Sequence, residues 1–248
     1  FSKKGSCEYQ DLEYPDDCIV DFDMRLIDLF KEMDKKKLTL KMQIRQEYYR
    51  VKELLDGKRP SRMDLFTYMD DDIYRICVSG SHAKENPFQH YLDFLYELGE
   101  LSEDEQELYA GIGREFIQTI ETTEMQKVYK MPILYSFYNH GNIRLAVTDE
   151  EVLESWKEFF DTGTNWKDFP NVNTYEDYKK VTDKQHLSKA KRMPIIRLKM
   201  SGKGFFVEKD GYALALRDEI EDVVGNVVFA EQMGDVLGYR SLEYYRRR

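Results

Sequence analysis

Histidines, a run of aspartates and basic residues beside prolines are the side chains in this sequence with the clearest chemical potential. None of the four histidines has a cysteine at the spacing of a zinc site. Histidines of this kind are usually surface or capping groups, although His140, in "NHGN", is also a candidate for contact with a phosphate or a base. Asp70, Asp71 and Asp72 suggest a metal site, but a turn and helix cap explains them more simply. We therefore expect no metal site.

Motifs that mark nucleotide-binding or nuclease sites are missing. The sequence has no G-x-x-x-x-G-K-[ST] loop to cradle phosphates. It also lacks the H-x-K-x-x-x-x-D signature of phospholipase-D nucleases. We therefore expect that this chain is not an enzyme by itself and needs no cofactor.

The charge of the chain is distributed in blocks. The 248 residues carry a formal net charge of −10, which argues against a nucleic-acid coat when the chain is taken whole. Basic residues nevertheless outnumber acidic ones by 11 to 5 in residues 31–62 and by 9 to 1 in residues 179–203, whereas residues 93–124 hold 1 basic and 10 acidic. A chain with such blocks can present a basic face although its total charge is negative.

Cysteine usage and hydropathy predict the cellular compartment. Cys7, Cys18 and Cys77 are an odd number without metal-ligand spacing, which favours reduced thiols. No signal peptide and no apolar run near 18 residues is present. These features predict a cytoplasmic protein. The first residue is Phe rather than Met, which favours a fragment of a longer protein.

Hydrophobic periodicity predicts a mainly α fold with a small α+β tail. An irregular lead-in (1–18) precedes a helical domain (19–173), with a helix beginning near Ile19. A basic connector (174–193) then leads to an α+β subdomain (194–248). The apolar content, 42% of the residues, is enough for a sizeable core.

Local motifs place individual helices. "SEDE" (102–105) and "TDEE" (148–151) are capping boxes that each open a helix. The first helix should extend to about Met125, although two glycines weaken it. The second carries Trp156, which we expect in the core together with Trp166.

The tail reads as an antiparallel meander closed by two helices. Its predicted strands are "PIIRLKM", "GFFVEK" and "YALALR", and Asp210-Gly211 is a strong hairpin signal. The closing helices are predicted at about 218–224 and 229–245.

Two stretches of the helical domain, about 43–100 and 114–162, look like copies of one unit. In each, a helix is followed by a basic residue, one more residue and a proline, Pro60 in "KRP" and Pro132 in "KMP". Proline suits a first helical turn because its φ is preset, so each unit reads as three helices with a middle helix opened by Pro. Two interpretations stay open: a duplicated packing unit, or a helix-turn-helix module whose basic turn meets phosphates.

Three segments carry a resemblance to a known family. "KMPILYSFYNHGNI", "CIVDFDMRLIDLFKEM" and the end of the chain, "GKGFFVEKDGYALALRDEI" with "LGYRSLEYYRRR", resemble the C-terminal region of bacterial superfamily 2 (DEAD/DEAH-box) helicases. Proteins of this type often carry a phospholipase-D-like nuclease segment. The resemblance implies an accessory region of an ATP-dependent DNA helicase, with DNA and the helicase's own motor domains as partners.

We predict that the basic Pro-turns and the connector contact DNA phosphates, with an affinity that falls steeply with salt. The residues predicted to bind are Lys58, Arg59, Arg62, Lys130, His140, Arg144, Lys191 and Arg192. The alternative is a protein-interaction scaffold that uses the acidic helix 102–124 to pack on the motor or on a partner protein. DNA binding predicts a basic face that combines residues 58–62 with 130–144, whereas a scaffold predicts an apolar patch with a polar rim.

Overall fold

A computed structural model describes residues 38–246 of the chain. The chain divides into two units, Phe1–Gln43 and Ile44–Arg248, and almost everything described belongs to the second. The predicted lead-in, the helix near Ile19, Cys7 and Cys18 lie outside the described residues.

The described part is mainly helical with a small antiparallel sheet, as the sequence predicts. Its α-helices are α1 (Leu40–Leu54), α2 (Arg62–Tyr68), α3 (Asp71–Cys77), α4 (Tyr91–Leu98), α5 (Glu103–Ala110), α6 (Ile112–Thr122), α7 (Lys130–Tyr138), α8 (Asp149–Asp161), α9 (Tyr175–Lys179), α10 (Asp183–Ala190), α11 (Ile196–Ser201), α12 (Glu221–Val224) and α13 (Val227–Arg246). Its strands are β1 (Ala146–Val147), β2 (Phe206–Val207) and β3 (Leu214–Leu216). Within these residues, no helix combines the length and apolarity that crossing a membrane requires.

Three helices, α3, α5 and α8, begin at the capping residues that the sequence predicts. Ser102 Oγ accepts a hydrogen bond from the amide of Glu105 at 3.2 Å, and the Glu105 carboxylate accepts one from the amide of Ser102 at 2.9 Å. Thr148 and Glu151 make the same pair of bonds at the start of α8. Asp70 caps α3 through the amide of Asp72 at 3.0 Å, so the aspartate run is a helix start, as predicted. Each box satisfies amides that have no partner within the helix.

The helix predicted from residue 102 to about 125 is interrupted, and this prediction was wrong in its length. Helix α5 ends at Ala110 because Gly111 is extended, with φ −110° and ψ −170°. Helix α6 then begins at Ile112. A Cβ on Gly113 would lie 2.1 Å from the Leu108 side chain, so the two helices pack too closely for a larger residue there.

The small sheet has the strand order β1-β3-β2, with both pairs antiparallel. The predicted hairpin is confirmed: β2 and β3 pair with Phe206 opposite Leu216, and Gly211 in their connection has φ +83°. The strand predicted in "PIIRLKM" is wrong. Those residues are helical, and the third strand is β1, whose Ala146 pairs with Ala215.

The segment "PIIRLKM" is helical because its buried residues follow a helical spacing. Pro194, Ile195 and Leu198 are buried, whereas Ile196 and Arg197 are exposed. A π-helical turn, Lys191–Ile195, precedes α11. Proline has no N–H to donate to the carbonyl four residues earlier, and a wider turn at this point accommodates that loss. Short apolar runs are ambiguous between strand and helix, which explains the error.

One hydrophobic core joins elements from both sides of residue 193. Its largest side chains include Trp156, confirmed as a core residue, whereas Trp166 is half-buried at its edge. The two helices predicted at the end of the chain are confirmed as α12, with a 3-10 turn before it, and α13. Helix α13 buries Phe229, Met233 and Val236 in this core. The domain boundaries themselves stay predictions.

The predicted connector is largely helical rather than a solvated linker. It contains α9 and α10 and begins the π-helical turn. Thr182 and Gln185 form a capping box at the start of α10. Buried Tyr178, His186 and Ala190 fix the segment to the body of the protein. Its basic residues are therefore held in a defined arrangement.

Candidate nucleic-acid interface

Arg62, predicted to contact phosphates, lies in the protein interior. Its side chain is fully buried and donates hydrogen bonds to Glu121, Gln232 and Asp235 at 2.5–3.0, 2.8 and 2.8 Å. A buried guanidinium between two carboxylates is already satisfied. Arg62 is therefore not available to DNA in this conformation.

Lys130 is also buried. Its Nζ donates to Thr123 Oγ1 at 2.9 Å and to Ser201 Oγ at 3.2 Å. Burial lowers the pKa of Lys130; the charge of Glu124 opposes this effect, and the smaller effects of Arg240 and Arg197 add to it. Its role is to join α7 to α11, and it does not form part of a basic surface.

Three more of the predicted residues pair with carboxylates. Arg59 makes a bidentate pair with the buried Glu105, with one N–O distance of 2.6 Å. Lys191 Nζ lies 2.8 Å from Asp149, and Arg144 Nε lies 3.1 Å from Glu151. Such pairs reduce the positive charge that these residues present to a phosphate.

The two Pro-turns do not form the predicted basic face. Lys58 in the first turn is exposed and has no ion pair within the described residues. In the second turn, the exposed His140 lies 3.6 Å from Glu158. Since Arg62 and Lys130 are internal, the 58–62 and 130–144 segments leave little unpaired positive charge at the surface.

Arg192 lies in a different setting, a concave surface on the connector that we call the connector groove. It has a volume of about 710 Å³ and is built from α9, α10 and the loop that precedes α9. The residues lining it are Phe169, Pro170, Asn171, Val172, Asp177, Lys180, Val181, Lys184, Gln185, Ser188, Lys189 and Arg192.

The connector groove is positively charged. Lys180, Lys184, Lys189 and Arg192 line it against one acidic residue, Asp177, which gives a formal charge of 4 − 1 = +3. Lys180 Nζ lies 3.7 Å from Asp177, and Lys189 Nζ lies 5.1 Å from the centre of the Tyr129 ring. Lys184 and Arg192 are exposed and make no ion pair within the described residues. Two of the four cations, Lys184 and Arg192, are therefore available to bind an anion.

A buried aromatic cluster beneath the groove holds its two helices together. The His186 ring of α10 packs on Phe169 and on Tyr178 of α9, with ring centres 4.8 and 5.5 Å apart. Burial lowers the pKa of His186, and the charge of Lys157 lowers it further against the opposing effects of Asp183 and Asp161. A neutral His186 is therefore the form that fits this core.

The sequence identified the connector as basic, but Lys180, Lys184 and Lys189 were not among the residues predicted to bind. Lys180, Lys184, Ser188 and Arg192 recur every fourth residue, the spacing of one helix face. With the Thr182–Gln185 box, this periodicity was a usable signal. The spacing was not used because the connector was interpreted as a polar basic segment, with a solvated linker as the alternative.

Comparison with protein-family models, with curated proteins and with solved structures finds no match to this chain. The described residues contain no group of three His, Cys, Asp or Glu side chains placed to hold a metal ion. The resemblance to helicase C-terminal regions therefore rests on the sequence segments alone.

Proposed function

We propose that this chain binds the phosphate backbone of DNA along the connector groove, as an accessory region of an ATP-dependent helicase. The observation that carries the proposal is the groove charge of +3, set in a protein whose formal charge is −10. A concave basic surface on an acidic protein raises the local concentration of an anionic ligand. The helicase assignment follows from the sequence resemblance.

The geometry of the groove supports backbone contact rather than sequence reading. Lys184 and Arg192 stand on exposed positions two helical turns apart along α10 and the π-helical turn. Lysine and arginine at a concave surface fit phosphate oxygens, which carry no sequence information.

Fluorescence anisotropy with labelled single-stranded, duplex and forked DNA tests this function. Contacts from the two unpaired cations, Lys184 and Arg192, predict that affinity falls roughly 7- to 12-fold between about 50 and 200 mM salt. A Lys184→Glu/Arg192→Glu variant should bind about tenfold more weakly or worse, and its salt dependence should be shallower.

Two further variants localise the binding. Lys84→Glu reverses one charge, half the change of the double variant, at an exposed residue outside the groove and should leave affinity nearly unchanged. A Lys58→Glu variant tests whether the exposed lysine of the first Pro-turn contributes to DNA affinity. Equal losses for Lys84→Glu and the groove reversals, or no binding at about 50 mM salt, would overturn the proposal.

A second candidate, a protein-interaction scaffold, is favoured by an exposed apolar stripe. Met193, Ile196 and Met200 are 46%, 43% and 72% exposed, and their spacing places them on one helix face. The acidic stretch proposed for this role is partly internal, since Glu105 and Glu121 pair with arginines. Under this proposal Met200→Glu weakens co-purification with the helicase motor domains but leaves DNA binding intact.

A further inference from the structure

A second concave site, which we call the turn pocket, lies between α7, α8 and α13, beside the turn that contains His140. Its volume of about 520 Å³ falls in the range of small-molecule sites. Residues from all three helices line it, including Ser136, Ser155 and Ser241. Its charge is opposite in sign to that of the connector groove, and the two sites share no residue.

Aromatic rings form one wall of the turn pocket. Tyr135, Tyr138, Phe159 and Tyr245 line it. The Tyr135 ring centre lies 6.3 Å from that of Tyr138 and 6.1 Å from that of Phe159, so these rings form a continuous surface. Aromatic faces carry negative electrostatic potential and attract organic cations.

The opposite wall is acidic and comes from one helix face. Glu151, Glu154 and Glu158 line the pocket at the i, i+3, i+7 positions of α8. Arg144 neutralises Glu151, with Nε at 3.1 Å, and also donates to the carbonyl of Ser136 at 3.1 Å.

Two carboxylates remain for a ligand. Glu154 is exposed and has no ion pair within the described residues, and Glu158 faces only the His140 ring at 3.6 Å. With His140 neutral, three carboxylates and one guanidinium give the pocket a formal charge of −3 + 1 = −2. The pocket therefore repels phosphates and attracts cations, and its aromatic wall favours an organic cation over a hydrated metal ion.

We propose that the turn pocket binds a guanidinium or alkylammonium group, placed against the aromatic wall and paired with Glu154 and Glu158. The group has two sources, a free small molecule or an arginine or lysine side chain of a polypeptide. Both present the same charged head on an aliphatic stem. The stem contacts the apolar rim at Leu242, which is 46% exposed.

Isothermal titration of the whole chain with three probes tests the proposal. The n-butylguanidinium ion represents a free guanidinium, N-acetylarginine amide represents a peptide side chain, and N-acetylcitrulline amide is the neutral isostere of the second. The n-butylguanidinium ion and the arginine amide carry the same single charge and should bind, and the citrulline amide should bind at least tenfold more weakly because it lacks the charge. Tighter binding of n-butylguanidinium supports a small-molecule ligand, and tighter binding of the arginine amide supports a polypeptide.

Variants on α8 provide the matched comparison. Glu154→Gln/Glu158→Gln should weaken guanidinium binding about tenfold or more, because it removes both unneutralised carboxylates. Glu150→Gln removes one carboxylate from the same helix, at an exposed residue that does not line the pocket, and should leave binding unchanged. Since all three residues sit at the surface of α8, thermal melting should show folded variants.

Three results would overturn the assignment. The first is the absence of binding heat for n-butylguanidinium and the arginine amide at millimolar concentration. The second is equal binding of the arginine and citrulline amides. The third is an equal loss of binding in Glu150→Gln and in the double variant. Each result means that the pocket does not select a cationic group through Glu154 and Glu158.

Discussion

At the scale of single residues, burial lowers the pKa of His186. Its imidazole is enclosed by Phe169 and Tyr178, and Nδ1 has no hydrogen-bond partner within the described residues. A charged imidazole in this setting is disfavoured, which lowers its pKa below the ordinary 6.5. Lys157 adds to the effect, whereas Asp183 and Asp161 oppose it.

His186 should therefore make stability depend on pH. Below about pH 6.5 the unfolded chain binds a proton at His186 that the folded protein excludes, so the free energy of unfolding falls as pH drops below this value. Above that pH the contribution is constant. Urea unfolding at about pH 7.5 and 5.5 should show a smaller acid loss in His186→Phe than in the wild type. Identical losses in the two proteins would contradict this assignment.

At the scale of elements, helices α2, α6 and α13 meet at the buried Arg62. This residue joins Glu121 of α6 to Asp235 of α13, and its guanidinium lies 4.4 Å from the Tyr91 ring centre. Burial acts to lower the pKa of Arg62, but the two carboxylates outweigh burial and keep the pKa above its ordinary value. The network fixes how the three helices pack.

Removing Arg62 should destabilise the protein strongly. Arg62→Met leaves Glu121 buried without its partner, and breaking a buried ion pair costs about 3–5 kcal/mol of the free energy of unfolding. Urea denaturation measures the loss. Arg75→Met, which breaks the exposed pair with Asp72, serves as the control and should change stability little. A midpoint for Arg62→Met equal to that of the control would show that the network contributes no stability.

At the scale of the whole molecule, residues distant in sequence form one core. The Phe116 ring of α6 lies 5.3, 6.0 and 5.7 Å from the ring centres of Phe205, Phe206 and Phe229. Strand β1, before α8, pairs with β3, after α11. The elements before and after residue 193 therefore bury apolar surface against each other.

This packing gives a prediction for the boundary placed at residue 193. A chain ending at Met193 loses β2, β3 and α13 and exposes the core face of α6, so it should lack a cooperative unfolding transition. Thermal denaturation of the shorter chain and of the full chain, followed by near-ultraviolet circular dichroism, shows whether each has a cooperative transition. A cooperative transition in the shorter chain would instead support a separate C-terminal subdomain.

The local elements of this fold were predictable because their causes lie within a few residues. The Ser102 and Thr148 boxes depend on a side chain three positions ahead, and the Asp210-Gly211 hairpin on two turn residues. Helical periodicity likewise predicts α8 and its buried Trp156. The break at Gly111 was missed because a glycine that weakens a helix does not by itself show that the helix ends there. The helix of "PIIRLKM" was missed because a short apolar run is ambiguous between strand and helix.

The sequence by itself determined the helical class, the caps and the hairpin, and it marked the connector as basic. Only the tertiary structure decided which cations face solvent. Arg62 finds Glu121 and Asp235 at separations of 59 and 173 residues, and no local pattern reveals such partners. A charge can be buried only where the fold supplies carboxylates that offset its lost hydration, so chain topology makes some basic residues internal and leaves Lys184 and Arg192 on the surface.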